Sequence, residues 1–114
     1  MGSRRLGFAL RISAALAPVS ALGAAAPPQA APRLHEIVIK DMKFGAVPEE
    51  IRRGDTILWI NRDMFRHSAT AADRSFDLDL PPGRSARIRV ARAGAIMFAC
   101  RYHPGMTGQL RVGG

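Results

Sequence analysis

From residue 34 onward, apolar and polar positions alternate in short runs broken by glycine and proline. His35-Glu36-Ile37-Val38-Ile39 is rich in β-branched residues and predicts a first strand. Asp41 to Gly45 carries Met42 and Phe44 two apart, which predicts extended chain up to the break at Pro48. Arg53-Gly54-Asp55 is a turn, and Thr56 to Ile60 is a dense apolar strand ending at Asn61. Phe76 to Leu80 reads as a short strand stopped by Pro81-Pro82-Gly83. From Ser85 to Val90, the residues Ala86, Ile88 and Val90 face one way, and Arg87 and Arg89 the other. Ala93-Gly94 turns the chain again, Ala95 to Cys100 is apolar and extended, and Gln109 to Val112 closes it. Short strands punctuated every roughly 8–12 residues predict an all-β sandwich or barrel. There is no helical periodicity in this part, no internal repeat and no phosphate-binding glycine loop.

The first residues follow a different pattern. Arg4 and Arg5 precede a mostly apolar stretch from Leu6 to Leu22, and Gly23-Ala24-Ala25-Ala26 supplies small residues. This order predicts an export signal over residues 1–25, cleaved before Ala26. Arg11 and Pro18 interrupt the apolar run, which argues against stable membrane insertion. Residues 26–32 form a Pro- and Ala-rich linker, so the folded domain is expected over 33–114, in the periplasm.

Composition narrows the classes. A chain of 114 residues that is 47% apolar and 23% charged makes one small globular domain, not a multidomain enzyme. The net charge of +8 falls to +5 without Arg4, Arg5 and Arg11. The remaining basic residues are almost all arginine, without the aromatic platform or basic helical stripe of a nucleic-acid binder. One cysteine excludes an internal disulfide, a four-cysteine metal site and a two-cysteine binuclear copper site.

That cysteine lies in the most informative segment. Cys100, His103 and Met106 stand at C-x2-H-x2-M spacing between two strand patterns. A thiolate, an imidazole and a thioether are soft or borderline donors, which suits copper. Pro104, Gly105 and Gly108 supply turn chemistry that would fold the loop back so that the three converge. A trigonal His2Cys site with a weak axial Met needs a second histidine. Of the other two, His35 lies at the start of the first strand, beside the linker. His67 heads the strand-like Ser68-Ala69-Thr70, after the strongest strand, and is the candidate.

With these residues in place, the chain from about Arg33 to Val112 resembles a cupredoxin of the small blue-copper kind, like amicyanin and plastocyanin. The resemblance is carried by Val47-Pro48 with Ile51, Gly54-Asp55-Thr56-Ile57, Trp59, Asn61, His67, and Phe98-Ala99-Cys100-Arg101-Tyr102-His103-Pro104-Gly105-Met106. It implies an all-β Greek-key β-sandwich and one type 1 copper ion held by His67, Cys100, His103 and Met106, with Met106 axial. Many cupredoxins carry asparagine after the first ligand histidine, bridging the two ligand loops. Here Ser68 stands there, with a backbone N–H expected to reach the Cys100 sulfur. The resemblance further implies a monomeric, non-enzymatic electron carrier that docks redox partners transiently. Docking is expected near His103, among Pro104, Gly105 and the Phe44–Pro48 turn. Arg62, Arg66 and Arg101 would favour an acidic partner. The alternative reading is a periplasmic copper-binding or delivery protein. A copper oxidase or nitrite reductase would need further histidines, and only His35 is spare.

Overall fold

The computed structural model describes residues 1–4, 7–18, 23 and 31–114. Residues 5, 6, 19–22, 24 and 25 of the predicted signal, its cleavage point, and residues 26–30 of the linker lie outside the described residues. No helix among the described residues is long and apolar enough to cross a membrane.

Among the described residues, nine strands follow in order: β1 Leu34–Lys40, β2 Lys43–Phe44, β3 Ile51–Arg52, β4 Thr56–Asn61, β5 His67–Ala71, β6 Asp77–Leu80, β7 Ser85–Arg89, β8 Gly94–Ala99 and β9 Thr107–Gly113. They form two sheets, ordered β2-β1-β4-β7 and β3-β9-β8-β5-β6. β1 pairs with β4 in parallel, and β3 with β9, while the other pairs are antiparallel. Parallel neighbours cannot be joined by a hairpin, so the chain crosses between sheets, and an all-β sandwich results.

The period-two pattern explains the core. On β4, Ile57, Trp59 and Asn61 point inward and are buried, while Thr56, Leu58 and Ile60 are half-buried outside. On β8, Ile96 and Phe98 are the inward pair. Trp59, Phe44, Phe76 and Phe98 meet between the sheets. Phe44 and Trp59 stand edge-on to Phe98, at centroid distances of 4.8 and 4.9 Å. Each such pair adds about 0.5–1.5 kcal/mol beyond the area it buries.

Two local expectations are corrected. Asp41 and Met42 are not strand: they have φ of 51° and 58° and form a two-residue turn that pairs Lys40 with Lys43. Two successive left-handed residues match the twist of a hairpin, and the Met42 N–H is secured by the Asp63 carboxylate at 2.9 Å. The apolar alternation of Met42 and Phe44 comes from packing of both residues on the core. The second is β3, absent from the sequence reading. It is only two residues long, and its partner, β9, lies at the far end of the chain.

Asp55 ties together the end of the sandwich where β1, β3 and β4 meet. Its carboxylate accepts the N–H of Arg33 at 2.9 Å, the N–H of Arg52 at 3.0 Å, and His35 Nε2 at 2.8 Å. Thus His35, spare in the sequence, has a structural partner. Burial pushes the Asp55 carboxyl up. The Arg33 N–H, His35 and the Arg52 N–H outweigh that and bring its pKa from 3.8 down to about 2. A depressed carboxyl stabilises the fold fully above its unfolded pKa, and the contribution disappears as pH falls through the folded value. The chain should lose about 2 kcal/mol of stability to this group between pH 4 and 2. Urea unfolding across that range is expected to show a steeper decline for the native chain than for Asp55→Asn. Equal slopes would remove Asp55 from this role.

Candidate metal centre

Three strand ends deliver the candidate ligands. Cys100 continues the inward set Ile96 and Phe98 one step beyond β8, so the thiol points into the core and is 1% exposed. His67 is the first residue of β5 and is fully buried. Met106 stands just before β9, also buried. The register of β8 on β9 brings Ala99 opposite Thr107, and the Cys100 N–H donates to the Met106 carbonyl at 3.0 Å. Between them the loop is closed by the Met106 N–H on the His103 carbonyl at 2.9 Å. Gly108 does not serve as a turn residue. It lies in β9, where a Cβ would come within 2.2 Å of the Phe98 ring. Its missing side chain makes room for the aromatic core under the loop.

The donor atoms converge. His67 Nδ1 is 3.8 Å and His103 Nδ1 3.6 Å from Cys100 Sγ, and the three ligating atoms all lie within 4.8 Å of one another. A metal with bonds of about 2.0–2.3 Å to two imidazoles and a thiolate in a trigonal plane would hold nitrogen and sulfur about 3.7 Å apart. The donor set therefore fits one metal ion, and its soft character fits copper. All four sequence-predicted ligands lie at this end of the sandwich.

The surrounding hydrogen bonds orient the donors. Asp63 Oδ2 lies 2.9 Å from His67 Nε2 and also accepts the Met42 N–H. Hydrogen bonds from His67 and Met42 hold the Asp63 carboxyl below the usual carboxylate range. An ionised carboxylate only accepts, so Nε2 carries the proton and Nδ1 presents its lone pair toward Cys100. Asp63 went unrecognised in the sequence, although its i, i+4 offset from His67 was available as a signal. Asn61 pins the same segment: Nδ2 donates to the carbonyls of Phe65 and Leu80, both at 2.8 Å, and Oδ1 accepts the Asp63 N–H. The Ser68 N–H reaches Cys100 Sγ at 3.3 Å, as expected. The Ser68 hydroxyl, short as it is, still bridges the two ligand segments by accepting the Arg101 N–H at 2.8 Å.

His103 alone among the four is half-exposed. Phe65 stands beside it, with ring centroids 6.5 Å apart, and Met64, Phe65 and Tyr102 are exposed apolar side chains. Phe44, expected next to this histidine, packs instead in the core. The arginines nearby are less free than their sequence positions suggest. Arg66 pairs with Asp79, and Arg101 with Asp77. Both guanidiniums lie over the Tyr102 ring, whose hydroxyl donates to Asp79. The acids come from β6, 13 residues from Arg66 and 24 from Arg101, so sequence proximity could not show the pairing. Arg62 is exposed, with no such partner among the described residues.

No family model matches the chain, and no curated protein matches it in sequence. Solved structures do. A purple cupredoxin from Nitrosopumilus maritimus superposes with a TM-score of 0.63 at 21% identity, covering 69% of this chain and 99% of that one. The amicyanin of Paracoccus versutus gives 0.60 at 22% identity, covering 70% and 81%. A Cu(I) form of an amicyanin variant gives 0.61 at 25% identity, covering 75% and 87%. Two mixed sheets, strand ends that gather His67, Cys100, His103 and Met106, and these likenesses lead to one conclusion: the chain has the cupredoxin fold, with a donor group that fits a type 1 copper site.

Proposed function

We propose that the protein is a periplasmic electron carrier that holds one copper ion through His67, Cys100, His103 and Met106. The observation that carries the reading is the convergence of two imidazole nitrogens on one buried thiol. Bound copper would supply a one-electron Cu(II)/Cu(I) couple. The residues supply everything else. His67 and Cys100 are buried, and hydrogen bonds hold the segments that carry them, so the donor positions are stiff and change little with oxidation state. The half-exposed His103, inside the apolar patch of Met64, Phe65 and Tyr102, is where a partner would approach. A small apolar patch with a paired-charge rim suits brief docking. Full burial of Cys100 and His67 favours retention of copper over its delivery to another protein. Export to the periplasm is supported by the Arg4-Arg5 start, the apolar run and the small residues that follow it.

The deciding experiment is an absorption spectrum with added Cu(II). An intense blue or purple thiolate band should appear and be lost in Cys100→Ser, with the fold retained because Trp59, Phe98 and Ile57 build the core. Uptake of Cu(II) without colour would defeat the proposal. Met106→Leu should keep copper and colour but raise the reduction potential, measured by redox titration, since losing a weak axial donor favours Cu(I). An unchanged potential would make Met106 a packing residue only. Asp63→Ala should weaken copper binding about 10–100-fold in chelator competition, because His67 loses the partner that fixes its tautomer and orientation.

A further inference from the structure

We propose that Thr70 and Asp77 are positioning residues for the ligand loop, acting through Ser68 on the backbone beside Cys100. The consequence at the metal rests on the copper reading above, but the hydrogen-bond arrangement does not.

Four residues form a closed ring. The Arg101 N–H donates to Ser68 Oγ at 2.8 Å, Ser68 Oγ lies 3.0 Å from Thr70 Oγ1, and the Thr70 hydroxyl donates to Asp77 Oδ1 at 2.8 Å. The Arg101 guanidinium returns to Asp77 Oδ2 at 3.0 Å. The register supports this closure, because Thr70 sits directly opposite Asp77 on β6 and opposite Ala99 on β8. Thus a carboxylate at the surface is joined to a fully buried serine whose own N–H meets the Cys100 sulfur.

The carboxylate sets the direction of the whole ring. Asp77 only accepts, so Thr70 spends its proton there and its oxygen is left to accept. The Ser68 hydroxyl must then donate to Thr70, which frees its oxygen for the Arg101 N–H. Each bond polarises the next. An asparagine at 77 breaks this logic in either orientation. With its NH2 toward Thr70, the Thr70 proton loses its acceptor at 77 and the ring no longer fixes which hydroxyl, Ser68 or Thr70, donates to the other. With its NH2 toward Arg101, two donors oppose each other. Valine at 70 keeps the shape but cuts the ring, whereas serine at 70 keeps the hydroxyl.

The test is hydrogen exchange of the Arg101 amide, followed by NMR, beside the copper spectrum of the same proteins. Thr70→Val and Asp77→Asn should each speed Arg101 exchange about tenfold, the size expected for one charge-assisted hydrogen bond. The double variant should add little more, because both substitutions cut one ring. Thr70→Ser should restore slow exchange. The thiolate band should move in Thr70→Val and return in Thr70→Ser. Unchanged exchange in both single variants, or no rescue by serine, would overturn the ring. Faster exchange with a fixed band would overturn its link to the metal. If the native protein shows no thiolate band, the copper reading fails, and amide exchange by itself still decides the ring.

Discussion

The antiparallel register of β5 against β8 sets Thr70 across from Ala99, and the metal end depends on it. Two residues further along, that register brings Ser68 level with Arg101 and its N–H to the Cys100 sulfur. Side chains alternate across a strand, so a slip of one residue would turn Cys100 away from the core and His67 away from Cys100. The register is held where it can least slip, between the buried Ala69 and Ala71 of β5 and the buried Phe98 of β8. A core of interlocked aromatic rings directly below transmits that constraint to the donors. Gly108 completes it by yielding its side-chain space to Phe98.

Burying a thiol and an imidazole beside several other polar groups would destabilise the sandwich unless each had a partner. The metal end meets this condition through three short polar residues and one acid. Asn61 saturates the turn after β4, Asp63 serves both His67 and the Met42 turn, and Ser68 and Thr70 link the two ligand segments. The β1–β2 hairpin is therefore part of the site's support, although none of its residues is a candidate ligand. The opposite end is organised on the same principle, with Asp55 collecting donors from the start of β1 and from β3.

Charge is distributed with a similar economy. The chain is strongly basic, yet beside the candidate ligands Arg66 and Arg101 are neutralised by Asp79 and Asp77 and stacked over Tyr102. Exposed pairs of this kind contribute little to stability. Their effect is on the surface, where the charges of the ligand segments are paired while Phe65 stands exposed beside His103. Among the described residues, Arg62 near the site has no ion-pair partner.

Much of this was legible in the residues alone. Period-two alternation with glycine and proline breaks determined the all-β class, because a strand shows its buried face locally. The C-x2-H-x2-M segment determined three donors, because a loop that short keeps sequence neighbours close in space. The Asp41-Met42 turn was hidden because its apolar alternation imitates a strand, and β3 because a two-residue strand has no period. The Ser68–Thr70–Asp77–Arg101 ring and the pairing of the arginines were decided only by tertiary structure. Each joins residues from different strands, and which strands become neighbours depends on how two sheets pack, a property that no local stretch of sequence carries.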